Sequence, residues 1–238
     1  SQEATGWKGT DWVENFVLRL HPIDVYDSWV AHELEFSSDE VRAAFERLET
    51  LWFDDTITYG GPQTIISTNF REPAAWLFEE PPRCWMHFQG SFVTEFFPTA
   101  VQEDLDNQVG VFQLPPISED IPVALEVGGD QFVVFQGKDR PEVRAFIEFL
   151  ATPASVEPWA TQGGSLFPHQ DQNLDWYPTE LERNMAEAII GAEQARFDGS
   201  DNMASEVNLA FWAGITDWLS GNRTLDQALS DIDETLPE

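Results

Sequence analysis

The sequence predicts an α/β fold, because short apolar runs typical of strands alternate with amphipathic helical patterns. Three runs are rich in β-branched or aromatic residues and are bounded by turn residues: "RCWMHF" (83–88), "VGVFQL" (109–114) and "QFVVF" (131–135). A helical pattern, "KDRPEVRAFIEFLATP" (138–153), follows the last run. With 238 residues, 42% of them hydrophobic, the chain can bury a large core.

Two helices are predicted before the first strand. "SSDEVRAAFERLETLW" (37–52) has apolar residues at helical spacing, and Ser37 with Glu40 matches a capping box. "YGGPQ" then interrupts the pattern. A short helix around Pro73 restarts in "TNFREPAAWLF" (68–78).

The last third of the chain is predicted to be helical. "SEVNLAFWAGITDWLSG" (205–221) carries an apolar stripe and ends at Gly221. "TLDQALSDIDE" (224–234) opens with a capping box formed by Thr224 and Gln227. No internal repeat and no flexible linker is apparent.

The charge balance argues against a nucleic-acid partner. The chain has 43 Asp and Glu residues against 12 Lys and Arg, a formal net charge of −31. Binding to phosphates or anionic lipids depends on clustered Lys and Arg, which are scarce here. The acids are spread along the chain, so we expect a solvated acidic surface, which suits a salt-rich medium and is equally consistent with an ordinary acidic protein.

The single cysteine, Cys84, cannot form an internal disulfide, and we expect it to be a buried thiol and not a nucleophile. No apolar stretch approaches the roughly 18 residues of a membrane-spanning helix. The first residues lack the pattern of a signal peptide, so we expect any export signal to have been removed before Ser1.

Sequence motifs for catalysis, metal binding or nucleotide binding are weak in this chain. Asp198 and Asp201 could form a glycosidase pair, but acids are so abundant that coincidence is the default. "DQNLDWYPTELE" (171–182) matches a calcium loop except at its sixth position, where Trp176 replaces the required glycine. The four histidines lack zinc-like spacing, and the glycine pairs match no nucleotide-binding loop. We therefore expect no metal and no cofactor.

Aromatic residues beside short polar side chains point to a neutral, polyhydroxylated ligand. The chain has ten Trp and eighteen Phe residues, and several lie in turn-rich segments such as "TGWKGTDW" and "RFDGSD". A sugar presents an apolar C–H face to an aromatic ring and hydroxyl groups to Asp, Arg or Gln. For "RFDGSD" alone, an Arg–Asp pair that ties a loop explains the motif equally well.

Taken in order, the motifs resemble a known family. "TGWKGTDWVENFVLR", "YDSWVAHE", "YGGPQTIISTNF", "FEEPPRCWMHFQGSF", "GGDQFVVF", "GGSLFPH", "RFDGSD" and "FWAGITDWLSG" together resemble the extracellular solute-binding proteins of carbohydrate ABC importers, most of all the α-glucoside-binding branch. The resemblance covers essentially the whole chain. It is closest to the C-terminal half of these receptors, which are longer than this chain.

The resemblance implies a periplasmic-binding-protein-like type II fold and no enzymatic activity. It implies a second-lobe α/β region (1–126), a segment that crosses toward the first lobe (127–168) and a C-terminal helical region that returns to the second lobe (169–238). The implied partners are a sugar and the transmembrane permease subunits, with the N-terminal lobe as a further candidate. The implied location is periplasmic or extracellular, with a lipoprotein anchor possible before processing.

The resemblance also suggests residues that bind the ligand. "QGSF" resembles the turn that carries a stacking aromatic, and "GGD" resembles the hinge side of the cleft. "RFDGSD" resembles a loop that enters the cleft, while two tryptophans are further stacking candidates. The candidates are Trp7, Gln89, Ser91, Phe92, Gly129, Asp130, Arg196, Asp198, Asp201 and Trp212.

Two alternatives stay open. A secreted carbohydrate-active hydrolase would need an acid with a raised pKa and would release a product. A truncated receptor that requires a partner chain would expose a large apolar patch where the absent lobe should pack.

Overall fold

The computed structural model describes residues 6–237. Its α-helices, in chain order, are α1 (Trp7–Leu20), α2 (Ile23–Val30), α3 (Asp39–Trp52), α4 (Gly61–Ser67), α5 (Pro73–Trp76), α6 (Thr99–Gln102), α7 (Leu105–Gln108), α8 (Pro141–Leu150), α9 (Glu157–Ala160), α10 (Glu180–Ile190), α11 (Gly199–Asn202), α12 (Ser205–Ser220) and α13 (Leu225–Asp233). The strands are β1 (Leu125–Val127) and β2 (Ala195–Phe197). Three 3-10 helices span Ser91–Phe96, Pro153–Ser155 and Leu174–Trp176.

The chain forms two compact units, each built from separate stretches of sequence. Unit 1 contains the residues up to Trp85, the segment Leu114–Val127 and the residues from Gln194 onward. Unit 2 contains Met86–Gln113 and Gly128–Glu193. The three regions suggested by the family resemblance stay a prediction.

Unit 1 consists mainly of helices and contains a two-stranded parallel sheet. Helix α1 packs against α3, α2 and α12, and α12 packs against α13 and α4. Large aromatic side chains meet edge to face in the core, for example Trp29 with Phe211 at 5.7 Å and Phe36 with Phe211 at 4.9 Å between ring centroids. These geometries are favourable because the positive edge of one ring meets the negative face of the next.

The parallel sheet joins two stretches that lie far apart in sequence. Leu125 pairs with Ala195, and Val127 pairs with Phe197. The backbone N–H of Asp198 then donates to the Val127 carbonyl at 2.9 Å. This arrangement confirms an α/β class in its coarse form: mainly helical, with a small parallel sheet.

The predicted helices are confirmed, with one change of cap. Helix α13 has the predicted capping box of Thr224 and Gln227, and α12 ends at Gly221 in the left-handed conformation. At α3 the cap is Ser38, whose hydroxyl accepts from the Val41 N–H at 3.4 Å. The prediction of Ser37 was wrong by one residue, because the Ser37 N–H donates to Asp233 instead.

The three predicted strands are wrong as strands. Segments 83–88, 109–114 and 131–135 all lie within the described residues, and none of them is paired in a sheet. The strands that do form are three residues long and lie elsewhere. An apolar run becomes a strand only when a neighbouring strand accepts and donates its backbone hydrogen bonds, and local sequence does not report on that neighbour.

Unit 2 has a much smaller core than unit 1. The core cluster described in it consists of Ala160, Tyr177 and Ala186, with half-buried apolar side chains around them. Asp106 helps to hold the unit together, because its carboxylate accepts from the Glu180 and Leu181 N–H groups, both at 3.0 Å, at the start of α10.

Among the described helices, none is both long enough and apolar enough to cross a bilayer.

Candidate functional site

Three carboxylates of unit 1 meet at the carboxyl edge of the parallel sheet. Glu126 lies in β1, Asp198 directly follows β2, and Asp11 projects from α1. Their carboxylate oxygens lie within 4.8 Å of one another. The carboxyl ends of parallel strands share one edge, which is where ligands of open α/β sheets bind. We call Asp11, Glu126 and Asp198 the acidic cluster.

A fourth carboxylate, Glu14, lies one turn along α1 and is completely buried. It accepts from the N–H of Gly199 and, at 3.2 Å, from the N–H of Ser200 at the start of α11. The Tyr26 hydroxyl lies 3.0 Å from it. These donors satisfy the carboxylate and fix α11 on α1, so Glu14 positions the loop that carries Asp198.

Burial makes this group of acids hold protons tightly. Burial raises the pKa of Glu14 and of Glu126 well above the ordinary glutamate range, and the charge of Asp198 raises both further. Burial also raises the pKa of Asp11, although Lys8, which donates to Asp11 at 2.7 Å, opposes that shift. The group therefore holds hydrogen-bond donors and acceptors together.

Glu126 is held by a chain of polar contacts that starts at α1. The Asn15 amide donates to Glu126. Arg19 donates to the Asn15 side-chain oxygen at 2.8 Å and to the Leu114 carbonyl at 3.1 Å. Because Arg19 fixes the orientation of the Asn15 amide, the Glu126 carboxylate is aimed toward Asp11 and Asp198.

Helix α1 approaches α12 closely enough that its cap must be glycine. A Cβ at Gly6 would lie 2.5 Å from the backbone Cα and carbonyl oxygen of Trp212, and Gly6 has φ +121°. The neighbouring Trp7 packs edge to face on Phe70 at 5.4 Å, with the Lys8 ammonium 4.6 Å from its ring centroid. The two candidate tryptophans of unit 1 thus flank one helix–helix contact.

Trp212 carries an unused donor. Its indole Nε1 is buried and has no hydrogen-bond partner among the described residues. A buried donor without an acceptor costs free energy.

The three candidate residues of the segment "RFDGSD" have different surroundings and different contacts. Asp198 belongs to the acidic cluster, and its carboxylate also caps α11 by accepting from the Asp201 N–H at 3.1 Å. Arg196 forms a two-pronged ion pair with Asp27 of α2. Asp201 is exposed. Arg196 therefore ties the loop to α2, the structural alternative that the sequence left open.

The remaining five candidates belong to unit 2. Phe92 is 37% exposed and lies 6.1 Å from Phe96 between ring centroids. The Gln89 side-chain oxygen accepts from the Gly90 N–H at 2.9 Å, whereas its Nε2 is buried without a partner among the described residues. Ser91 begins a 3-10 helix. Gly129 and Asp130 are exposed.

A shallow polar pocket of about 220 Å³ lies within unit 2 beside the Gly163–Gly164 turn. Glu182, which lines it, is already used, because it accepts from the Gly164 N–H at 2.6 Å and from the Thr179 hydroxyl at 2.9 Å. The last residue of the supposed calcium loop therefore stabilises a turn.

Sequence reasoning missed Asp11, Glu14, Asn15 and Glu126. A usable signal was present in "TDWVEN", where Asp11, Glu14 and Asn15 follow helical spacing within an otherwise apolar stretch. Helix α1 was not predicted, so this pattern was not used. Glu126 had no local signal, because its role depends on the pairing of β1 with β2.

Among the residues described, the acidic cluster has enough carboxylate oxygens close together to hold a cation. Acidic groups of this kind are common without a bound cation.

Cys84 is half-buried, and burial raises the pKa of its thiol, which lowers its reactivity.

Comparison with known proteins finds two relatives, and both are named as binding proteins. Over 238 residues the chain is 38% identical to the osmoprotective compounds-binding protein GgtB of Synechocystis sp., a match that covers 100% of this chain and 55% of that protein. Over 230 residues it is 39% identical to the alpha-glucosides-binding periplasmic protein AglE of Rhizobium meliloti, covering 94% of this chain and 49% of that protein.

The chain thus spans about half the length of the curated relatives it matches. No family model and no solved structure matches it. The resemblance to extracellular solute-binding proteins is confirmed by these two matches.

Proposed function

We propose that this chain, which is similar along its length to two solute-binding proteins, forms part of a receptor outside the cytoplasmic membrane that binds a neutral polyhydroxylated solute. The solute class is an α-glucoside or a related osmoprotectant, and the receptor delivers it to an ABC importer. The observation that carries the proposal is the match over 94–100% of this chain to proteins named for such ligands. No chemical conversion of the solute is part of the proposal.

The chemistry of the acidic cluster supports a ligand rich in hydroxyl groups. A hydroxyl group both donates and accepts a hydrogen bond. Ionised carboxylates in the cluster accept from hydroxyls, while a carboxyl that keeps its proton donates to a sugar oxygen. Trp7 and Trp212 supply aromatic surface in the same unit.

One observation favours the hydrolase alternative. Glu14 and Glu126 have raised pKa values, and a general acid of a glycosidase needs this property. Glu14, however, is completely buried, and backbone N–H groups and Tyr26 occupy its oxygens, so it is unable to protonate a glycosidic oxygen. Recovery of unchanged sugar after incubation separates a receptor from a hydrolase.

The test is a calorimetric titration of the chain with maltose, trehalose, sucrose and glucose, with cellobiose as a β-linked control. We expect saturable binding of at least one α-glucoside in the micromolar range, which corresponds to roughly −8 kcal/mol. Asp11→Asn and Glu126→Gln should each weaken it by about tenfold or more, because an amide in place of the carboxyl group changes the hydrogen-bond donors and acceptors offered to the hydroxyl groups of the solute.

The matched control is Glu46→Gln, which changes an exposed carboxylate on α3 of the same unit. It should bind as the unchanged chain does. No heat of binding with any of these sugars, from a sample whose circular dichroism shows folded helices, would contradict the proposal for this chain.

A further inference from the structure

One of the two lysines of the chain lies beside the acidic cluster. The lysines are Lys8 and Lys138, against 43 Asp and Glu residues. The Lys8 ammonium lies 2.7 Å from a carboxylate oxygen of Asp11, and the two side chains are 21% and 16% exposed. This ion pair is largely withdrawn from water, so salt screens it less than it screens an exposed pair.

The Trp7 ring is a second partner of the same ammonium group. The Lys8 Nζ lies over this ring, 4.6 Å from its centroid. A cation at this distance is attracted by the negative charge of the aromatic face. A carboxylate and an aromatic ring thus hold the ammonium together, and both are groups with which proteins recognise cationic ligands.

Helix stability does not explain a lysine at this position. Lys8 is the second residue of α1, and the first turn of this helix contains no acidic residue. The helix dipole is positive at this end, so a cation in the first turn is unfavourable. The favourable partners of Lys8 are therefore Asp11 and Trp7, which place it at the acidic cluster.

The positive charge of Lys8 acts on the cluster beyond Asp11. Burial raises the pKa of Glu126 and neighbouring acids raise it further, whereas the charge of Lys8 opposes this shift. The oxygens of Asp11, Glu126 and Asp198 lie within 4.8 Å of one another. Carboxylate oxygens are the ligands that Ca²⁺ takes in proteins, so the cluster alone would attract a divalent cation. Lys8 supplies a positive charge from the chain itself.

We propose that Lys8 is a specificity-determining residue, a built-in counter-ion that keeps divalent cations off the acidic cluster and leaves its oxygens to a neutral solute. A net charge of −31 concentrates cations around the chain. Without a fixed positive charge at the cluster, these cations would compete with the solute for the carboxylate oxygens. The exclusion of cations stands on the contacts of Lys8, whereas its benefit to solute binding rests on the proposed function.

The test measures calcium binding without any sugar, by calorimetric titration in about 0.5 M NaCl, which screens the distributed surface charge. We expect Lys8→Met to bind calcium at least about tenfold more tightly than the unchanged chain, because it removes the charge and keeps an unbranched stem beside Trp7. Lys8→Arg keeps the charge and should resemble the unchanged chain. Lys138→Met is the matched control, since it changes the other lysine, which is exposed, and gives the same net charge as Lys8→Met.

Broadening of NMR signals by manganese(II) locates the bound cation, because a paramagnetic ion broadens the signals of nearby atoms. In Lys8→Met we expect the backbone N–H signals of Asp11, Glu126 and Asp198 to broaden first. Adding Asp11→Asn to this variant removes one carboxylate and should abolish the selective broadening. In the unchanged chain these three signals should broaden no more than that of Glu46, an exposed acid.

A second titration connects the exclusion of cations with the solute. With a sugar that binds the unchanged chain, calcium should weaken binding to Lys8→Met and should leave binding to the unchanged chain and to Lys138→Met as it was. If no sugar binds the unchanged chain, the proposed function fails, while the calcium titration still decides the role of Lys8.

Three outcomes would overturn the proposal. One is equal calcium affinity of Lys8→Met and Lys138→Met. Another is selective broadening of the cluster signals by manganese(II) in the unchanged chain, which needs no variant and would show that Lys8 does not exclude a cation. The third is a Lys8→Arg variant that binds calcium as tightly as Lys8→Met, which would assign the effect to the shape of the lysine side chain and not to its charge.

Discussion

At the scale of single residues, similar carboxylates have different roles because their partners differ. The Glu14 carboxylate accepts hydrogen bonds from the N–H groups of Gly199 and Ser200. The Glu126 carboxylate accepts from the side-chain amide of Asn15. Asp201, four residues after β2 ends at Phe197, is exposed, while Asp198 faces two other acids. Position relative to the sheet edge decides which acids face one another.

Glu126 gives a prediction about stability and pH. Its folded-state pKa is raised above the ordinary value of 4.5, mainly by burial, so the folded chain binds this proton more tightly than the unfolded chain does. Stability therefore falls as pH rises from the ordinary value through the raised one, by up to about 1.4 kcal/mol per pH unit for one group.

Glu126→Gln removes this titration, because glutamine resembles the protonated acid and can still accept from Asn15. We expect the variant to gain stability relative to the original at pH 8 and little at pH 4. Urea unfolding followed by tryptophan fluorescence at both pH values measures the difference, with Glu46→Gln as the exposed control. An equal effect at both pH values would show that Glu126 does not titrate in this range.

Residue-level prediction from sequence was partial for a physical reason. Asp198 was a candidate and lies in the acidic cluster, whereas Arg196 pairs with Asp27, a residue 169 positions away. The residues that bind a ligand in either unit stay a prediction. A side chain's partner across such a distance depends on how helices pack, and local sequence carries no record of it.

At the scale of elements, several helices followed from sequence, whereas α1 and the strands did not. A helix satisfies its own backbone hydrogen bonds, so periodicity and caps predict it, as for α3, α8, α12 and α13. A strand depends on a second segment. Leu125–Val127 pairs with Ala195–Phe197, and neither three-residue stretch stands out in the sequence.

The capping box of α13 gives an element-scale prediction. The Thr224 hydroxyl accepts from the Gln227 N–H at 3.2 Å, and the Gln227 side chain accepts from the Thr224 N–H at 3.0 Å. Thr224→Ala should lower the free energy of unfolding by about 1 kcal/mol, because one helix N–H loses its acceptor.

Thr224→Ser is the control for this change, since it keeps the hydroxyl and should stay close to the original stability. Thermal unfolding followed by circular dichroism provides the comparison. Equal melting temperatures for the alanine and serine variants would show that the cap contributes nothing to the stability of α13 on the α12 surface.

At the scale of the whole molecule, charge dominates. A net charge of −31 opposes compaction, and most of the ion pairs seen among the described residues are exposed. Exposed pairs contribute little. Salt reduces the repulsion because the screening length falls from about 10 Å at 0.1 M to about 3 Å at 1 M.

We therefore expect the melting temperature to rise between 0.05 and 2 M NaCl, by about 2–4 °C for each kcal/mol of repulsion that is screened. Scanning calorimetry across this series measures the rise. Near pH 4.1, the isoelectric point, the net charge vanishes and the rise should shrink. A rise of the same size at both pH values would assign it to general salting-out and not to charge.

The sequence by itself determined the acidic surface, several of the helices, the capping box of α13 and the resemblance to solute-binding proteins. These properties depend on composition, on local periodicity and on the order of motifs along one chain. Only the tertiary structure decided which strands pair, which acids meet at their carboxyl edge and which apolar runs stay uncovered. Each of these depends on a second segment distant in sequence, because buried hydrogen bonds and burial itself are properties of pairs of segments.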